Sequence, residues 1–185
     1  MEDLVFRRVD PDLLQQTAAE WNRLWQDGGE HPAGVYLEPL ESCRRAVEGE
    51  SKTTSMSTAI WYAVVREGEQ TALALADMIH NKAGSQLRLH RVIVAPDLEL
   101  STAEGQERHD FVSLVAATAI AGAIGLTLQD HPSSSLKIWC SFPLTKYFLQ
   151  ASLGKFDHLL SVQVAGNWLT INFKKAQLPA QESAR

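Results

Sequence analysis

TALALADMIHNKAGSQLRLHRVIVAP, residues 71–96, decides how this chain is read. Two apolar runs flank Asn81-Lys82-Ala83-Gly84, a stretch with turn chemistry and with glycine where a positive φ is wanted. The pattern predicts two strands, Thr71–His80 and Gln86–Val94, the second ended by Pro96-Asp97. With the turn at Asn81–Gly84, the hairpin sets Asp77 opposite Arg88 and Leu75 opposite His90. Alternation then puts Arg88, His90, Val92 and Val94 on one face.

Working toward the N-terminus, Thr58–Arg66 is a third apolar strand, turned by Glu67-Gly68-Glu69-Gln70, so residues 58–94 read as an antiparallel meander. Leu4–Val9 is a short strand. Asp10 at the N-cap and Pro11 at the first helical position open a helix over Pro11–Gln26, stopped by Gly28-Gly29. His31–Leu40 holds two prolines and reads as loop, and a second helix follows over about Glu41–Glu48. Working toward the C-terminus, a loop over Leu98–Gly105 leads to a helix, Glu107–Leu126, apolar on nearly every face, which predicts burial between layers. Leu136–Phe142 reads as a strand and Leu144–Leu153 as a short helix. His158–Val164 and Trp168–Phe173 read as a hairpin around Ala165-Gly166-Asn167. The expectation is one α/β domain over residues 1–174 and a polar tail over 175–185.

Composition narrows the function classes. The net charge of −5 gives no electrostatic pull toward nucleic acid or an anionic membrane. Phe111–Leu128, the longest apolar run, is rich in alanine and glycine and reads as a core helix rather than a span. The two cysteines, Cys43 and Cys140, form no C-x-x-C, and with an N-terminus lacking an apolar signal they suit a cytoplasmic protein. The six histidines show no metal-ligand spacing, and P-loop, dinucleotide and nucleophile-elbow motifs are absent. Cys140, inside a strand, reads as a small buried side chain.

The order β-α-α-β-β-β-α-β-α-β-β, over roughly residues 4–174, resembles the GNAT superfamily of acyl-CoA-dependent N-acyltransferases. Val94-Ala95-Pro96 resembles the V-x-P that closes the family's fourth strand. Residues 147–156, ending in Leu153-Gly154-Lys155-Phe156, resemble its short helix ending in Leu-Gly-Phe. The resemblance implies a central, mostly antiparallel sheet of about seven strands flanked by four helices, with the fourth and fifth strands splayed apart. It also implies acetyl-CoA or another acyl-CoA as cofactor and a small-molecule or peptide amine as acceptor, and it leaves a homodimer open.

The resemblance also assigns roles. Val92 and Val94 border the cofactor's arm. Gly105, Arg108 and His109, at the start of the long helix, meet its diphosphate, where helix N–H groups favour anions. The family's loop carries Gln/Arg-x-x-Gly-x-Gly/Ala; Ser101–Arg108 has one glycine of the two, and Glu104, Glu107 and Asp110 cluster there. That departure supports a second reading, a GNAT-like binding or regulatory protein without CoA-dependent catalysis. For acyl transfer, His90 is the candidate base and Tyr147 the candidate acid, three residues before Gln150, where the family's tyrosine falls. Asp77 is a third catalytic candidate, giving the acceptor region negative charge with Glu38, or else it is a cross-strand partner of Arg88. Trp21 and Trp25 line an acceptor pocket or pack in the core.

Overall fold

The computed structural model describes residues 3–28, 34–50, 57–100, 106–140, 150, 153 and 159–174. In chain order the elements are β1 (Leu4–Arg8), α1 (Pro11–Gly28), α2 (Gly34–Val47), β2 (Ser57–Arg66), β3 (Ala72–Asn81) and β4 (Gln86–Val94). They are followed by α3 (Pro96–Leu100), α4 (Gln106–Leu128), β5 (Ser135–Trp139), β6 (Leu160–Ala165) and β7 (Trp168–Phe173). The expected tail over 175–185 lies outside the described residues, as does most of the helix expected over Leu144–Leu153.

The seven strands form one open sheet in the order β1-β2-β3-β4-β5-β7-β6. Every neighbouring pair is antiparallel except β4 and β5, which are parallel. A parallel pair needs a crossover, and α3 and α4 supply it. Helices α1 and α2 pack on one face of the sheet, where Leu13, Trp21, Leu40 and Cys43 meet Trp61 and Leu75. Helix α4 packs on the other, on Met78, Leu87, Leu136 and Ile171. Strand β2, covered on both faces, is accordingly a continuous apolar run buried from Ile60 to Val65.

Local chemistry explains the helix entries. Asp10 Oδ1 accepts the Leu13 N–H at 2.8 Å, the N-cap that the sequence predicts. Trp21 is fully buried, and its indole N–H donates to the Ala72 carbonyl at 2.9 Å. The Thr17 hydroxyl accepts the Ala72 N–H at 3.0 Å. Both side chains thus satisfy the backbone at the start of β3, where the β2 register shifts. Trp21 is therefore a core staple and lines no acceptor pocket.

Four expectations are corrected. Helix α2 begins at Gly34 and runs through Pro39. The lost N–H bond is offset by Leu40 and Cys43, which anchor the next turn in the core. Between β4 and the long helix lies α3, not only a loop; its Leu98 packs into the core beneath. Helix α4 is not buried between layers. Val115, Ala119 and Ala123 are fully buried on the sheet, while Leu114 and Leu128 are 42% and 67% exposed. By length and composition alone His109–Leu128 could cross a membrane; its outward face is mostly alanine, serine, threonine and glycine, which tolerate exposure. Finally, the positive φ in the β3–β4 turn falls on Ser85, at 46°, and not on Gly84. Asn81 caps that turn by accepting the Gly84 N–H at 3.0 Å.

Candidate functional site

The ladder joining β4 to β5 has four register pairs, from Gln86↔Ser135 to Leu89↔Ile138. Beyond it, β4 runs on to Val94 paired only with β3. Among the described residues, its other main-chain edge from His90 to Val94 has no strand partner. The ladder stops one residue before β5 itself ends at Trp139; the onward course of the chain from Ser141, on which the splay implied by the resemblance depends, lies outside the described residues.

A β-bulge sits at the same point. Met78 pairs with Leu89 and Asp77 with Arg91, which leaves His90 as the extra residue. One inserted residue inverts the alternation. Leu87 and Leu89 face α4 before the bulge; Val92 and Val94 face it afterwards, and Ile93 joins the α1–α2 side. Arg88 and Val92 therefore lie on opposite faces, and the single face expected for Arg88, His90, Val92 and Val94 does not exist. The pairing of Asp77 with Arg88 is corrected in the same way: Arg88 pairs with Ile79, and Arg91 faces Asp77.

Arg91 is the hinge of the charged side of the site. Its Nε donates to Asp77 Oδ2 at 3.1 Å, and its Nη1 donates to Glu38 Oε2 of α2 at 2.9 Å. The guanidinium carbon lies 5.9 Å from the Trp61 ring centroid. Burial pushes the Asp77 carboxyl above its ordinary range, and Arg91 and His90 offset part of that rise. Two carboxylates share one guanidinium, so the cluster retains one net negative charge.

His90 bridges this cluster to an aromatic corner. Its ring meets Trp168 edge-on at 5.5 Å, and Trp168 meets Trp139 at 5.0 Å and 69°. His90 Nε2 is buried and has no hydrogen-bond partner among the described residues. Buried polar nitrogens are ordinarily paired, so this atom is a candidate for contact with a ligand.

The remaining sequence candidates fall as follows. Tyr147 and Gly105 lie outside the described residues. Arg108 and His109 are in the first turn of α4, with His109 exposed. Burial pushes the Cys43 thiol up to about 12, and Cys140 is buried, so neither is a poised nucleophile. Among the described residues no cluster of His, Cys, Asp or Glu could hold a metal ion. Arg91, Trp139 and Trp168 escape sequence reasoning. The available signal was His90-Arg91, two consecutive polar residues inside a strand, which marks a bulge.

An open mixed sheet in this strand order, with β4 and β5 parallel across the crossover helix, has the GNAT-like arrangement. Solved structures similar to the chain include a tandem GNAT protein from the clavulanic acid biosynthesis pathway, at 14% identity and TM-score 0.46. The match takes in 82% of this chain but only 43% of that one. Also similar is PaiA N-acetyltransferase from Thermoplasma acidophilum in complex with coenzyme A, at 12% identity and TM-score 0.36, over 93% of this chain and 99% of that one. A third is N-acetylglutamate synthase from Neisseria gonorrhoeae, at 12% identity and TM-score 0.38, over 94% of this chain and 35% of that one. No family model and no curated protein matches the sequence. The strand order and the one parallel pair, β4 with β5, not these distant likenesses, carry the reading of the fold.

Proposed function

We propose that the protein transfers an acyl group from an acyl-CoA, acetyl-CoA or a longer one, to an amine. The observation that supports this most is the Nε2 of His90, buried and without a partner among the described residues, just beyond the end of the β4–β5 ladder. The residues present fit the cofactor's extended arm. The unpaired edge of β4 offers amide donors and carbonyl acceptors as a neighbouring strand would, above the side chains of Val92 and Val94. We assign the phosphates to the N-terminus of α4, with Gly105, Arg108 and His109. When bound, the cofactor supplies an activated thioester.

In this reading His90 Nε2 accepts the proton that the acceptor nitrogen loses as it bonds to the acyl carbon. The Asp77–Arg91–Glu38 cluster, with its residual negative charge, favours a cationic amine nearby. Tyr147 is assigned to protonate the leaving thiolate, on the resemblance alone.

The test is His90→Gln, followed as free thiol released from acetyl-CoA over a panel of amines. Loss of a general base lowers turnover by about 10²–10⁴-fold. The expected result is a loss of that size with an unchanged circular dichroism spectrum. Turnover equal to the parent protein removes His90 from the mechanism, and no thiol release by the parent with any amine counts against acyl transfer itself.

A further inference from the structure

Across the parallel ladder, Arg88 is in register with Lys137. Both side chains lie on the face away from α4, because their neighbours Leu87, Leu89, Leu136 and Ile138 all point into the α4 core. Two cations on adjacent strands, about 4.8 Å apart along the ladder, repel each other. Nothing on the described chain relieves this. Arg88 Nε donates to Gln86 Oε1 at 2.8 Å, which leaves its terminal nitrogens without a partner, and no carboxylate among the described residues pairs with Lys137. Several other arginines find acids, Arg23 with Glu20, Arg44 with Glu41, Arg66 with Glu69 and Arg91 with Asp77, while Arg7 donates to the Gln70 amide oxygen. What sets Arg88 and Lys137 apart is that they face each other in register on adjacent strands.

The aromatic corner adjoins it. Trp139 follows Lys137 by two residues on the same face of β5, about 7 Å along the strand, and is in register with Trp168. Trp139 is 39% exposed, large apolar area beside two unpaired charges. Among the described residues, the apolar core that α1 and α2 form on the sheet reaches only as far as β4.

We infer that the face of β4, β5 and β7 turned away from α4 binds the carboxylate end of an amine acceptor with an apolar or aromatic body. Arg88 and Lys137 take the carboxylate, the Arg88 fork bidentately. Trp139 and Trp168 take the apolar body, and His90, in contact with Trp168, stands on the side of the amine. The polarity is complementary: a bare cation pair at one end and the net-negative Asp77–Arg91–Glu38 cluster at the other. The inference rests on the acyl-transfer reading for its amine and on the sheet face alone for its carboxylate.

The probe is 3-phenylpropionate, followed by the indole N–H resonances of the protein, with Trp139→Phe to assign that signal. The uncharged 3-phenylpropanamide is the control. The expected result is that the Trp139 and Trp168 signals shift with the carboxylate. The amide, and the carboxylate on Arg88→Gln or Lys137→Gln, bind about tenfold more weakly or worse. Without ligand at low salt, Lys137→Gln raises the unfolding temperature because it removes the repulsion. Equal binding of carboxylate and amide, no shift of either indole, or tighter binding of a single-stranded oligothymidine than of the carboxylate overturns the inference. Carboxylate binding with no thiol release from acetyl-CoA refutes acyl transfer and leaves this subsite standing. Thiol release with no carboxylate preference does the reverse.

Discussion

Gly122, in the middle of α4, lies against β1, and replacing it with alanine tests how the crossover helix seats on the sheet. A Cβ there would overlap the Phe6 ring at Cδ1 and Cγ and, third, meet Phe6 Cβ at 2.8 Å. The third distance matters most, because rotating the ring about χ1 leaves Phe6 Cβ in place. The ring is also stacked on Tyr62 at 5.0 Å and 15°, so it has little freedom to turn. Relief therefore requires β1 or α4 to move. Overpacking of this kind costs about 1–3 kcal/mol, while alanine in a helix interior gains about 1 kcal/mol over glycine. The expected net effect of Gly122→Ala is a loss of about 0–2 kcal/mol, or up to roughly 8 °C in unfolding temperature for a chain of this size. Gly125 is the internal control: a Cβ there meets nothing within 4 Å, so Gly125→Ala shows only the helix gain, about 0.5–1 kcal/mol. Thermal and urea unfolding of both variants measure the pair. Opposite signs support the seating of α4 described here; a stabilised Gly122→Ala protein refutes it.

Arg91→Met strands the largely buried Asp77 carboxyl, which loses its charged donor; the expected cost is about 1–3 kcal/mol by urea unfolding. Asp77→Asn in the same chain recovers part of it, and no recovery means that Arg91 acts by packing on Trp61. The second test concerns pH. The His80 and His131 rings lie 5.0 Å apart, tilted by 50°, with Tyr62 Oη 3.4 Å from His131 Nε2. Burial holds both imidazoles below their ordinary value, helped by Lys82 and, for His131, by His80 and Arg8 against Asp130. The unfolded chain then binds more protons just below about pH 6.5, so the stability these groups provide is whole above that value and lost as pH falls through it. The unfolding temperature should drop between about pH 7 and pH 5, and less steeply in His131→Gln; identical slopes would show that the pair does not titrate on folding.

Strand identity was legible because β2, β3 and β4 are long apolar runs between strong turns, and the helix start at Asp10-Pro11 carries its own capping chemistry. Register was not. The β3–β4 turn takes in residues 82–85, because Ser85 adopts the positive φ that Gly84 was expected to supply, and the bulge then adds His90. Together these move the partner of Asp77 from Arg88 to Arg91, and a two-fold alternation cannot reveal either event. Helix α2 was hidden by Pro39, since the residues that outweigh a missing N–H bond act through tertiary packing. His90 was found from sequence for its chemistry. The features that make it notable, an unpaired Nε2 and the two tryptophans, exist only once β5 and β7 are laid beside β4.

Calorimetric titration of the purified protein with acetyl-CoA addresses the central claim most directly, because the free edge of β4 and the start of α4 must hold the cofactor before any acyl group moves. At low salt the prediction is saturable binding near micromolar, about −8 kcal/mol. Arg108→Ala should weaken it, and His90→Gln should leave it within a few-fold. No heat at millimolar acetyl-CoA would contradict the account, and would favour a GNAT-like binding protein that has given up the cofactor.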